Sequence, residues 1–177
     1  LCIKLKEEMT VEKLREREEE LVKIAFARIK KIPTLHILAG NIEHRLGAIS
    51  FYIENIHYNL IVKILNDRFG VQVRGGCSCA GTYGHYLLHV DPNRSKIITD
   101  KIDQGDLSEK PGWVRMSIHP TMTDQELNTA LNGIAQIVEN IDEWSKDYVY
   151  DKSKNEFFHK NSDGSDLEKI KSWFAIS

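Results

Sequence analysis

The segment Thr123–Ile141 constrains the fold more than any other part of the chain. Thr123 followed three residues later by Glu126 is a capping box, in which each side chain satisfies a backbone amide of the first helical turn. Leu127, Ala130, Leu131, Ile134, Ile137, Val138 and Ile141 then recur at three- and four-residue steps. That spacing predicts a helix with one wide apolar stripe, which needs an apolar surface to lie on. Four short runs can form that surface. Leu35–Ala39, Ala48–Ile53, Val71–Val73 and Trp113–Ile118 read as strands, the clearest of them rich in β-branched and aromatic residues.

Two more helices suit the same layer. Thr10 caps a helix with apolar positions at Val11, Leu14, Leu21, Ile24, Ala25 and Ile29, and Pro33 stops it. Asn59–Phe69 carries Leu60, Ile61, Ile64 and Leu65 on one face and meets Gly70 where a left-handed cap belongs. Arg94–Gln104 reads as a short surface helix. In the tail, Tyr148–Asp151 and Glu156–Lys160 form a hairpin around Ser153–Asn155, and Asp166–Phe174 forms a terminal helix. Trp144, Tyr148, Tyr150, Phe157 and Phe158 read as cover for the core. Strands and helices mixed in this way predict an α/β domain: an open sheet with helices packed on one face.

Composition narrows the function classes. With 24 basic against 26 acidic residues the net charge is −2, so no nucleic-acid footprint is present. No apolar run approaches the roughly 20 residues that span a bilayer, and the N-terminus lacks the layout of a signal peptide. Three cysteines, two of them two positions apart, make no disulfide framework, which suits a reducing, cytoplasmic setting. The chain opens on Leu1, which is expected of a sequence that begins inside a longer protein.

Two places carry candidate chemistry. In Arg74-Gly75-Gly76-Cys77-Ser78-Cys79-Ala80-Gly81, glycines on both sides of two thiols allow a sharp turn with accessible side chains. Arg74 and His85 are candidate cations to help a thiol ionise. The same residues also fit a tight turn of small buried side chains. A third reading takes Cys77, Cys79, His85 and His89 as zinc ligands, although their spacing departs from common structural zinc sites. Arg115 is the second place. Strand alternation puts it on one face with Trp113 and Ser117, and an arginine in so apolar a strand needs an anionic partner. Either a ligand carboxylate or an Asp or Glu elsewhere in the fold would serve.

The stretch "VQVRGGCSCAG" resembles the active-cysteine loop of cysteine desulfurases and selenocysteine lyases, pyridoxal-phosphate enzymes related to the class V aminotransferases. "KPGWVRMSIHPTMTDQEL" resembles the strand and helix that follow that loop, and "GAISFYIENIHYNLIVKILNDRFGVQVR" the strand–helix–strand before it. The resemblance runs from about Glu8 to Asn140 and excludes the tail after Trp144. It implies the small C-terminal domain of such an enzyme over residues 1–143, with 144–177 as a hairpin and helix extension. Cys79 then falls at the persulfide-forming nucleophile and Arg115 at the clamp on the substrate's α-carboxylate. Many desulfurases place two histidines before the cysteine; Cys77-Ser78 stands there instead, making Cys77 a candidate second or resolving thiol. No metal is implied. The cofactor-bearing lysine and most cofactor contacts belong to the family's large domain, and no segment here resembles it. The resemblance therefore implies a chain that neither binds pyridoxal phosphate tightly nor turns over alone. Its implied partners are its own large domain, an amino-acid substrate and, in the full-length enzyme, a second copy. A class V aminotransferase domain without persulfide chemistry and a zinc-stabilised binding module are the alternatives.

Overall fold

The computed structural model describes residues 2–77, 81–162 and Trp173. Cys79, and all of the predicted helix 166–174 except Trp173, lie outside those residues. Helices α1 (Cys2–Met9), α2 (Val11–Ile29), α3 (Tyr58–Phe69), α4 (Gly81–Leu87), α5 (Pro92–Asp103) and α6 (Asp124–Trp144) alternate with strands β1 (Leu35–Ile37), β2 (Ala48–Ile53), β3 (Arg74–Gly76) and β4 (Trp113–Ser117). A hairpin of β5 (Tyr148–Asp151) and β6 (Glu156–His159) follows.

The sheet has the order β1-β2-β4-β3 among the described residues, and each pairing is antiparallel. Alternation along the two central strands sends Ile49, Phe51, Ile53, Val114 and Met116 to one side, where all are buried. Leu127, Leu131, Ile134 and Ile137 of α6 cover that side, together with Phe26 and Ile29 of α2 and Ile61 and Ile64 of α3. The capping box on Thr123 and Glu126 forms with both of its bonds, and Gly70 adopts the left-handed cap at φ 65°. The α/β architecture with its long helices on one face of an open sheet is therefore the one expected.

Four elements differ from the sequence reading. Helix α1 was not anticipated: it is short and polar, and Ile3 and Leu5 are exposed, so no apolar stripe announces it. Strand β3 falls on Arg74–Gly76 instead of Val71–Val73. The Val71 amide is taken by the Leu65 carbonyl at 3.1 Å in closing α3, and Val71 and Val73 serve as partly buried packing. The glycine turn contains helix α4, in which the missing Cβ of Gly84 admits Trp113: a Cβ there would sit 3.2 Å from its ring. Helix α5 also begins earlier than expected, capped by the Asp91 side chain with Pro92 in its first turn.

The hairpin packs on the start of α3. The His57 ring stacks on Tyr58 at 4.5 Å and tilts against Tyr150 at 5.1 Å and Phe157 at 5.3 Å. Its Nδ1 accepts from the Asn59 amide at 3.1 Å and so caps the helix. Burial pushes the His57 pKa below its ordinary 6.5, offset in part by the Asn155 side chain. Folding thus favours the neutral ring. Its contribution is complete above pH 6.5 and is lost as pH falls, because the unfolded chain takes up the proton first. His57→Asn keeps a capping side chain. It should lose part of the wild type's decline in stability between about pH 6.5 and 5, measured by urea denaturation at each pH.

Candidate functional site

The other side of the sheet is the polar one. Arg115 lies on the central strand β4, with Ser50 of β2 directly opposite on one flank and Arg74 of β3 directly opposite on the other. His36 and Tyr52 pair on the same side, rings stacked at 4.9 Å, and His36 also contacts Glu54 at 2.6 Å. Trp113 shares the parity of Arg115 yet is buried, because Gly84 of α4 lies against its ring. A groove of ≈ 710 Å³ opens beside this row, between His36 and Tyr52 of the sheet, with Leu38 just past β1, and His85, Tyr86 and Asp91 of the segment after the cysteine turn.

The electrostatics of the row are unbalanced. Among the described residues no acidic side chain pairs with Arg115 or Arg74, and the Arg115 Nε is buried with no hydrogen-bond partner. An orphaned buried donor costs about 1–3 kcal/mol. Like charges directly opposite in a sheet add to that cost. Of the two partners considered for Arg115, the internal Asp or Glu is absent among the described residues. A small anion laid across the row would relieve both costs, and a carboxylate matches the planar guanidinium fork.

Cys77 leaves the end of β3 half-buried, and its Sγ donates to the Pro111 carbonyl at 2.5 Å. Burial pushes its thiol pKa up, and Lys110 offsets this only in part. The cation acting on Cys77 is therefore Lys110 rather than Arg74 or His85. His85 is engaged with the Ser95 hydroxyl at 2.7 Å. Among the described residues no group of three His, Cys, Asp or Glu side chains is placed to hold a metal ion. Cys79 lies outside the described residues; of the predicted set, the structure sets Arg74 directly opposite Arg115 and places Cys77 just past the end of β3.

The sequence reading missed Tyr58, Asn155 and Lys110. Tyr58 fills the space beside Gly75 and Gly112, where Cβ atoms would lie 3.0 and 2.5 Å from its ring. A signal existed: a glycine immediately before an apolar strand, as at Gly112, marks a close approach of another group. No strand of the sheet carries a lysine. The strands themselves therefore supply arginines, which fit an anionic group, and no amine for a Schiff base with an aldehyde cofactor such as pyridoxal phosphate.

Fold and face together define a mixed α/β domain with Arg115 on the polar face of its sheet and Cys77 just past the end of β3. The profile described as Aminotransferase class-V matches residues 1–129, and the chain belongs to that family. Among solved structures, the apo cysteine desulfurase of Thermococcus onnurineus NA1 is similar at 20% identity and a TM-score of 0.52, over 76% of this chain and 28% of that one. The cysteine desulfurase CsdA of Escherichia coli, in an S-sulfonic acid form, aligns at 14% identity and a TM-score of 0.47, over 73% of this chain and 26% of that one. The chain thus spans about a quarter of the length of these proteins. No curated protein matches. Among the described residues no helix is long and apolar enough to cross a membrane.

Arg115→Met separates an arginine kept for a ligand from one kept for the fold. With no ion pair to break among the described residues, the change should cost less than about 1 kcal/mol in ligand-free protein, measured by chemical denaturation. Breaking a buried ion pair would cost about 3–5 kcal/mol.

Proposed function

We propose that this chain is the small domain of a pyridoxal-phosphate-dependent, cysteine desulfurase-like enzyme, inactive without a large domain that completes the pocket. Residues 1–143 are that domain, with 144–177 as its extension. The observation that carries the reading is the unpartnered Arg115 Nε on the polar face of the sheet, in the row shared with Arg74. Family membership and the Cys-Ala pair at Cys79-Ala80 support it. The cofactor, held by the large domain, supplies the electron sink.

This chain's own residues do the rest. Arg115 binds the α-carboxylate of an amino-acid substrate through its fork and so fixes the direction in which the side chain points. Arg74, opposite it, adds positive potential to the same row. The Cys79 thiolate attacks the substrate sulfur (or selenium); the new bond to Cys79 forms as the substrate's Cβ–S bond breaks, leaving alanine and a persulfide. Cys77 is the second thiol, and its hydrogen bond to Pro111 must open before it takes part. In the cell this is a cytoplasmic, dimeric enzyme.

The test uses the full-length protein that contains this chain, with cysteine and selenocysteine as substrates. Cys79→Ala should abolish release of sulfur or selenium together with alanine formation. Retained activity by transamination would instead make the parent an aminotransferase with idle cysteines. Arg115→Ala should lower kcat/KM about 10- to 100-fold, as expected for loss of a hydrogen bond to a charged group.

A further inference from the structure

The hairpin β5–β6 lies beyond residues 1–129, the span shared with the family profile, yet one of its residues is linked through Tyr58 to the end of β3. Asn155 sits in the left-handed region at φ 58°, a conformation asparagine tolerates better than most residues. Its Nδ2 donates to the Tyr58 hydroxyl at 2.7 Å, and its Oδ1 accepts from the Tyr150 hydroxyl at 2.9 Å. Its backbone carbonyl accepts from the Asn59 side chain. The side chain thus holds a buried tyrosine by its hydroxyl.

The ring of Tyr58 in turn braces two backbone segments. It lies against Gly112, where a Cβ would come within 2.5 Å of Cε1, and against Gly75, where a Cβ would come within 3.0 Å of Cδ2. These two glycines flank the place where Cys77 Sγ donates to the Pro111 carbonyl at 2.5 Å. Gly75 also pairs with Val114 next to Arg115. A chain of contacts therefore runs from the hairpin through Asn155 and Tyr58 to the end of β3.

We propose that Asn155 is a positioning residue: by holding Tyr58 against Gly75 and Gly112, it sets where the backbone leaves β3 for the cysteine turn. The inference rests, for its catalytic consequence, on the reading of that turn as the sulfur-transfer site. Its structural part stands on Cys77 alone.

The full-length protein is compared with Asn155→Gly, which keeps the left-handed turn and removes only the side chain, and with Tyr58→Phe, which keeps the ring and removes only the hydroxyl. Two readouts are used: the alkylation rate of Cys77 by iodoacetamide, resolved by peptide mass spectrometry, and steady-state sulfur release from cysteine. Each variant should speed Cys77 alkylation about 2- to 10-fold, the effect of losing one or two neutral hydrogen bonds. Each should lower kcat by a similar factor with KM little changed, and the double variant should be no worse than either. Unchanged alkylation, or additive effects in the double variant, would overturn the brace. If alkylation responds while KM rises and kcat holds, Asn155 does not position the turn for chemistry, and the catalytic part falls. If the wild type releases no sulfur, the functional reading fails by itself, and the alkylation arm still decides the brace.

Discussion

Everything in this molecule follows from the side-chain alternation of β4. Val114 and Met116 point into the apolar layer under α2, α3 and α6, so Trp113, Arg115 and Ser117 must point the other way. A slip of one residue would put a guanidinium among Phe51, Ile61 and Ile134, and the desolvation of an unpaired charge there exceeds anything the sheet could recover. Burial on one side of the strand thus fixes Arg115 on the other. Because β4 is central, its neighbours inherit the constraint: Ser50 and Arg74 are set beside Arg115 by register.

The arrangement costs stability locally. Two arginines face each other across a strand pair, and one keeps a buried donor without a partner among the described residues. Exposed ion pairs elsewhere, such as Arg15–Glu19 and Lys96–Asp100, do not offset this, since pairs of that kind contribute at most about 1 kcal/mol. The apolar layer supplies the stability, and the polar face carries the local cost.

The long elements were readable from the chain because their signals are local and repeated. The stripe and capping box of α6, the Gly70 cap of α3 and the run Ala48–Ile53 all appear where expected. Arg115 was readable as well, since a charge inside an apolar strand is conspicuous. What was not readable depends on contacts distant in sequence. Tyr58 selects Gly75 and Gly112 over the more strand-like Val71 and Val73 as the ground on which β3 closes. Trp113 selects Gly84 as part of a helix where glycine usually signals a turn. Asn155 meets Tyr58 from 97 residues away. No window of local sequence contains both partners of any of these contacts.

Of the two cysteines of the turn, the structure describes Cys77. A nucleophilic thiol must ionise, and Cys77 is held the other way: burial raises its pKa, and its proton is given to the Pro111 carbonyl. A protonated, hydrogen-bonded thiol at the end of β3 ties that strand to the segment entering β4. The same contact lies between Gly75 and Gly112, the two positions that Tyr58 braces. The tyrosine, the strand pairing and the Cys77 thiol thus act on one short piece of backbone. The end of β3 is therefore set by the same strand pair that places Arg115 and Arg74 side by side.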